Sequence, residues 1–146
     1  MRGAAIRFGR DRAGIAAVEL ALVMPVLCAV LLGIIDGWSY VSSSLAMRAG
    51  VKTAANLVMA GGTDDSATQA AALASWDNKP ADAAVAVTRT YQCGTTVVTS
   101  TTICSGSKLP SVFVQIQASA TWDPPFSFGP YPDNTAIGHL QVVRVR

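Results

Sequence analysis

Residues 12–36 read RAGIAAVELALVMPVLCAVLLGIID, and everything else in the chain is arranged around them. From Ile15 to Ile35 there are twenty-one residues, of which Glu19 alone is charged. A helix rising about 1.5 Å per residue would cover ~31 Å over that length, close to the ~30 Å hydrocarbon core of a bilayer. Arg2, Arg7, Arg10 and Arg12 stand before it, opposed only by Asp11. Positive flanks stay in the cytoplasm, so the N-terminus is expected inside and the C-terminal domain exported. The stretch reads as a membrane helix with a direction.

Glu19 asks for more than an anchor. An ionised carboxylate in hydrocarbon costs at least a few kcal/mol, which marks it as functional by default. It lies five residues after Gly14. A cut after Gly14 would place a new α-amino group on Ile15. In an assembly of such helices, that cation on one subunit could neutralise Glu19 of the next and remove the burial cost of both. The competing reading is that Glu19 snorkels to the cytoplasmic interface, about 10 Å of helix rise from Arg12, and does nothing else.

Gly14-Ile15-Ala16-Ala17-Val18-Glu19-Leu20, after Arg10-Asp11-Arg12, resembles a prepilin-type cleavage motif. Within that class it is most similar to the TadE-like minor pilins, or pseudopilins, of the tight-adherence (Tad/Flp) pilus system. Ala21-Leu22-Val23-Met24-Pro25 and Gly33-Ile34-Ile35-Asp36-Gly37 continue the likeness, which is strong over residues 10–60 and diffuse beyond. Leu20 stands where the family usually has an aromatic, and Asp36-Gly37-Trp38 where it has Glu-aromatic; neither departure removes a needed charge. The resemblance implies a pilin-like α+β fold, processing between Gly14 and Ile15 by a prepilin peptidase, and an assembly role for Glu19. It also implies as partners other pilin subunits through the N-terminal helix, an inner-membrane assembly platform, and membrane lipid before assembly. The expected location is the inner membrane, with the pilus fibre or tip after assembly.

The chain has 146 residues, 51% hydrophobic and only 14% charged, with a net charge of +2. That leaves room for one small domain beside the membrane helix. The first fourteen residues carry four positive charges and one negative, +3; the remaining seven positive and eight negative give −1. Such a surface suits no nucleic acid. An ordinary signal peptide fits poorly: its apolar core is shorter, about 7–15 residues. This run also holds Glu19 and Pro25 and lacks a small-x-small site immediately after it. A twin-arginine signal is excluded, because Asp11 separates Arg10 from Arg12.

Beyond Asp36 the helix is expected to continue. Trp38 and Tyr40 belong at the headgroup level. Good helix formers follow from Leu45 to Met59, with Arg48 and Lys52 four apart on one exposed face, until Gly61-Gly62 stops the helix. From Ile15 to Ala60 this makes a rod of roughly 69 Å that a small soluble domain could not bury. Pro25 should kink or locally open it. The expected division is a leader over 1–14, a membrane helix over 15–36, its continuation over 37–62 and an exported domain over 63–146.

In that domain Thr63 to Ser66 offers N-cap chemistry, with Ser66 and Gln69 as a capping box for a short helix over Ala70–Trp76. Strands are expected over Ala83–Tyr91, Val97–Ile103, Val112–Trp122 and Leu140–Arg146, forming an antiparallel sheet with one face on the long helix. Val85, Val87, Arg89 and Tyr91 share one face of the first of these. Val112, Val114, Ile116, Ala118, Ala120 and Trp122 share one face of the third. Cys93 and Cys104 are expected to form a disulfide in an oxidising compartment, and Cys28 to remain a small apolar side chain. With His139 as the only histidine, a zinc site lacks ligands.

No cofactor is expected, and no nucleophile elbow, phosphate loop or metalloprotease motif suggests an enzyme. Asp123 to Pro132 is a stiff, aromatic loop that either docks a neighbour or covers the sheet's open end with Phe126 and Phe128. Three function classes follow: a processed minor pilin, a permanently anchored exported binding module, or a membrane-tethered enzyme. The last has no residues to support it. A mere tether needs neither the Gly14/Glu19 spacing nor the uninterrupted rod.

Overall fold

A computed structural model describes residues 12–126 and 131–145. Arg2, Arg7 and Arg10 of the expected leader, Phe128 of the aromatic loop and Arg146 lie outside the described residues. Helix α1 runs unbroken from Arg12 to Met59 and passes through Pro25. Its 48 residues correspond to about 72 Å at the standard rise. Gly61 adopts φ +97°, and the backbone bonds Gly62 N–H to Leu57 C=O (3.0 Å) and Gly61 N–H to Val58 C=O (3.0 Å) close the helix as a Schellman cap.

Helix α2 spans Asp65–Ala74. It starts earlier and stops sooner than the expected Ala70–Trp76 helix, because the cap is Asp64 rather than a Ser66–Gln69 box. The Asp64 carboxylate accepts from the backbone N–H of Ser66 (2.8 Å) and Ala67 (3.1 Å), and from the Ser66 hydroxyl (2.7 Å). Those hydrogen bonds, the Ser66 hydroxyl foremost, hold its carboxyl below the usual carboxylate range.

Four strands follow: β1 Ala84–Cys93, β2 Thr96–Val98, β3 Ser111–Trp122 and β4 Thr135–Arg144. They form one antiparallel sheet in the order β2-β1-β3-β4. The expected Val97–Ile103 strand is only three residues long. Beyond Val98, Thr99 instead shares its hydroxyl with those of Thr101 (3.2 Å) and Thr102 (2.9 Å), so hydroxyl bonding displaces the ladder. The last strand begins at Thr135 rather than Leu140, and places His139 inside the edge strand opposite Ala118.

The core lies between the upper half of α1 and the sheet. Met47, Val51, Ala54, Ala55 and Val58 recur at helical spacing and are fully or nearly fully buried. They meet Val112, Val114, Ile116 and Ala118 of β3, with Ile137 and Val143 of β4 beside them. The expected inward face of β3 is thereby the observed one, Ala120 and Trp122 included. Arg89 lies on the Val face of β1, as expected, and stays half-buried at its end. It donates from Nε to Asp65 (2.6 Å) and from Nη2 to the Gly62 carbonyl (3.0 Å), tying β1 to the end of α1 and the start of α2.

Cys93 and Cys104 are joined in a disulfide, with Cα atoms 5.5 Å apart. Closing a loop of eleven residues stabilises the fold by somewhat under ~3 kcal/mol in the chain-entropy model. Replacing both cysteines by serine should therefore lower the thermal midpoint of the purified chain. The wild type in reductant should fall to the same value. Equal midpoints with and without the bridge would contradict this.

Candidate assembly and processing site

The long helix has two unlike halves. From Gly14 to Leu31 every residue is exposed, a run that includes Leu22, Val26 and Val30. The helix is long and apolar enough to cross a membrane, and its most apolar window has no part buried in the fold. A stretch this apolar and this bare needs another environment to cover it, either lipid or other helices. It is consistent with membrane anchoring.

Gly14, Ile15 and Glu19 stand together near the start of this bare half. Gly14 lies inside α1, and a Cβ added there would meet nothing within 4 Å. Ile15 and Glu19 are both exposed. Among the described residues Glu19 has no hydrogen bond and no ion pair. Four residues apart, the two sit on neighbouring turns about 6 Å apart in rise. The Gly14–Ile15 bond lies in the first turn, where backbone N–H groups lack intrahelical partners and unwinding is cheapest. Cys28 is a free, exposed thiol on the same bare half. No group of three or more metal-ligating side chains occurs among the described residues.

The halves meet at a joint that sequence reasoning missed. Asp36 is fully buried. Its Oδ1 accepts from the Phe126 backbone N–H (3.1 Å), while Oδ2 has no partner among the described residues. The next residue, Gly37, passes so close to the Tyr131 hydroxyl that an added Cβ would lie 3.0 Å from it. Trp122 donates from Nε1 to the Ser39 hydroxyl (3.3 Å). Its ring packs edge-on against Tyr40 (5.2 Å) and Tyr131 (6.0 Å). Tyr40, expected beside Trp38 as a headgroup anchor, therefore turns to the domain, while Trp38 stays 74% exposed.

Phe126 docks on the chain's own helix and is half-buried. Asp36 shares a helix face with Met47, Val51 and Val58, at spacings of eleven, fifteen and twenty-two residues. That periodicity is the signal that could have found it.

Residues 14–56 match the model of the TadE-like protein family. The TadE-like segment begins at Gly14 and ends within the docked half of α1, so it covers both helix halves and none of the sheet. The match covers 43 of the 146 residues, so the likeness is to that family over the helix alone. No curated protein and no solved structure matches the chain.

Proposed function

We propose that this chain is a minor pilin, or pseudopilin, of a tight-adherence pilus. It is cut by a prepilin peptidase between Gly14 and Ile15, held in the inner membrane by residues 15–36 with its C-terminal domain exported, and assembled through α1 with other pilin subunits on an inner-membrane platform. The observation that carries this reading is a TadE-like helix bare from Gly14 to Leu31, with a carboxylate, unpaired among the described residues, five residues past Gly14. A permanent tether for a binding module would need the apolar run but not that carboxylate. In this reading the chain's role is structural rather than catalytic.

In this mechanism the leader keeps the N-terminus cytoplasmic until cleavage. Cleavage then turns the helix start into a cation, reinforcing the positive end of the helix dipole. Glu19 of a neighbour accepts it, and the apolar faces exchange lipid for protein. The rigid joint at Asp36 makes the domain follow the helix.

Gly14→Val tests the processing step. The open space around Gly14 leaves the fold undisturbed, while a branched side chain obstructs close approach to the scissile backbone. In a host with an active peptidase, the variant should reach the membrane at normal level with its leader attached, and pili should be lost. Normal cleavage of Gly14→Val would contradict the proposed site.

A further inference from the structure

We infer that a groove beside the middle of α1 is the socket for the Arg48/Lys52 flank of a second copy of this chain. The groove has a volume of about 870 Å³ and follows α1 from Trp38 to Ala49. That span of eleven residues is about 16 Å of helix. Small side chains, Ser42 and Ala46 among them, line it from α1, and Asp77 and Asp123 line it from outside that helix. Small residues along a helix let a second helix approach closely.

The charges on the two surfaces are opposite. Asp77 and Asp123 are both exposed; one Asp123 oxygen accepts from the Asn134 N–H (2.6 Å). Neither carboxylate forms an ion pair among the described residues. Arg48 and Lys52 are exposed and equally without an ion pair there. At about 100° per residue their flank lies roughly a third of a turn around α1 from the groove. Socket and plug are then different faces of one molecule. Repeated head-to-tail, such a contact builds an open array rather than a closed dimer.

The register agrees, and here the inference rests on the pilin reading above. If Ile15 of one copy meets Glu19 of the next, the two helices are offset by four residues, about 6 Å. The copy supplying Glu19 then holds its Arg48 level with Ser44 of the other copy, and its Lys52 level with Arg48. Both levels fall inside the Trp38–Ala49 span of the groove. The continuous exposed helix below carries the same contact down into the membrane.

Carbodiimide coupling of the full-length processed chain, expressed as an equal mixture of light and ¹⁵N-labelled copies, tests this. The reagent condenses an amine with a carboxylate in contact, and a membrane-permeant form also reaches residues 15–36. Between light and heavy chains two bonds are expected: Ile15 amine to Glu19, and Lys52 to Asp77 or Asp123. Reversing one side (Arg48→Glu with Lys52→Glu) should abolish the Lys52 product and reduce assembly at least tenfold. Adding Asp77→Lys and Asp123→Lys should restore assembly. An Ile15–Glu19 bond without any Lys52 bond, or assembly indifferent to the charge reversals, would overturn the socket and leave the pilin reading intact. Absence of both bonds would overturn both.

Discussion

Glu19→Ala should insert into the membrane, be cleaved after Gly14 and fail to assemble. Insertion should be slightly easier, because a charge has been taken out of the apolar run. The fold should be untouched, since Glu19 bonds to nothing among the described residues. What is lost is the partner of the neighbour's buried ammonium, an error costing on the order of 3–5 kcal/mol per contact. At each contact this chain makes, that is enough to block its incorporation and lower pilus number. Glu19→Gln keeps a hydrogen-bond acceptor but not the charge and should fall between the two. Membrane level, mature N-terminus and pilus number, compared on the same cells, separate these steps. A snorkelling Glu19 gives the opposite pattern, with assembly indifferent to all three side chains.

Gly50→Val should have the largest effect on the fold. Here α1 crosses α2 so closely that an added Cβ would lie 2.6 Å from the Ala72 carbonyl oxygen and 3.2 Å from the Trp76 Cβ. The first of these neighbours is backbone, which cannot rotate away. Replacing glycine in a helix normally gains up to ~1 kcal/mol in propensity, and less for valine. Overpacking a buried contact costs about 1–3 kcal/mol, and a backbone clash belongs at or above the top of that range. At about 4–8 °C per kcal/mol for a domain of this size, the thermal midpoint should fall by on the order of 10 °C. The same substitution at Gly14 should leave the midpoint unchanged. Equal midpoints for Gly50→Val and wild type would show that the α1–α2 contact is looser than described.

The contrast between these two glycines shows where sequence reasoning reaches and where it stops. Strict alternation made β3 legible, and all six inward residues from Val112 to Trp122 are buried. The long helix was legible from composition and from its double-glycine end. Strand β4 was half hidden because His139 and Gln141 occupy inward positions while Leu140 and Val142 face out, so polarity runs against the pattern. The Thr-rich run after Val98 looked like strand by propensity, yet its hydroxyls satisfy each other locally. Asp36 and Gly50 were illegible for a different reason. Their environments are made by residues 90 and 22 positions away, Phe126 and Ala72, and no local pattern announces a distant partner. At Gly14 and Glu19 the reverse holds. There the described fold supplies almost no neighbours, and the proposed site rests on the spacing.

The most direct measurement is the mature N-terminus of the wild-type chain, by mass spectrometry of protein taken from membranes and sheared pili of its native host. The account predicts a chain that starts at Ile15, present in both fractions, with Cys93 and Cys104 bridged. A chain that still begins at Met1, in cells whose prepilin peptidase is active, would contradict it.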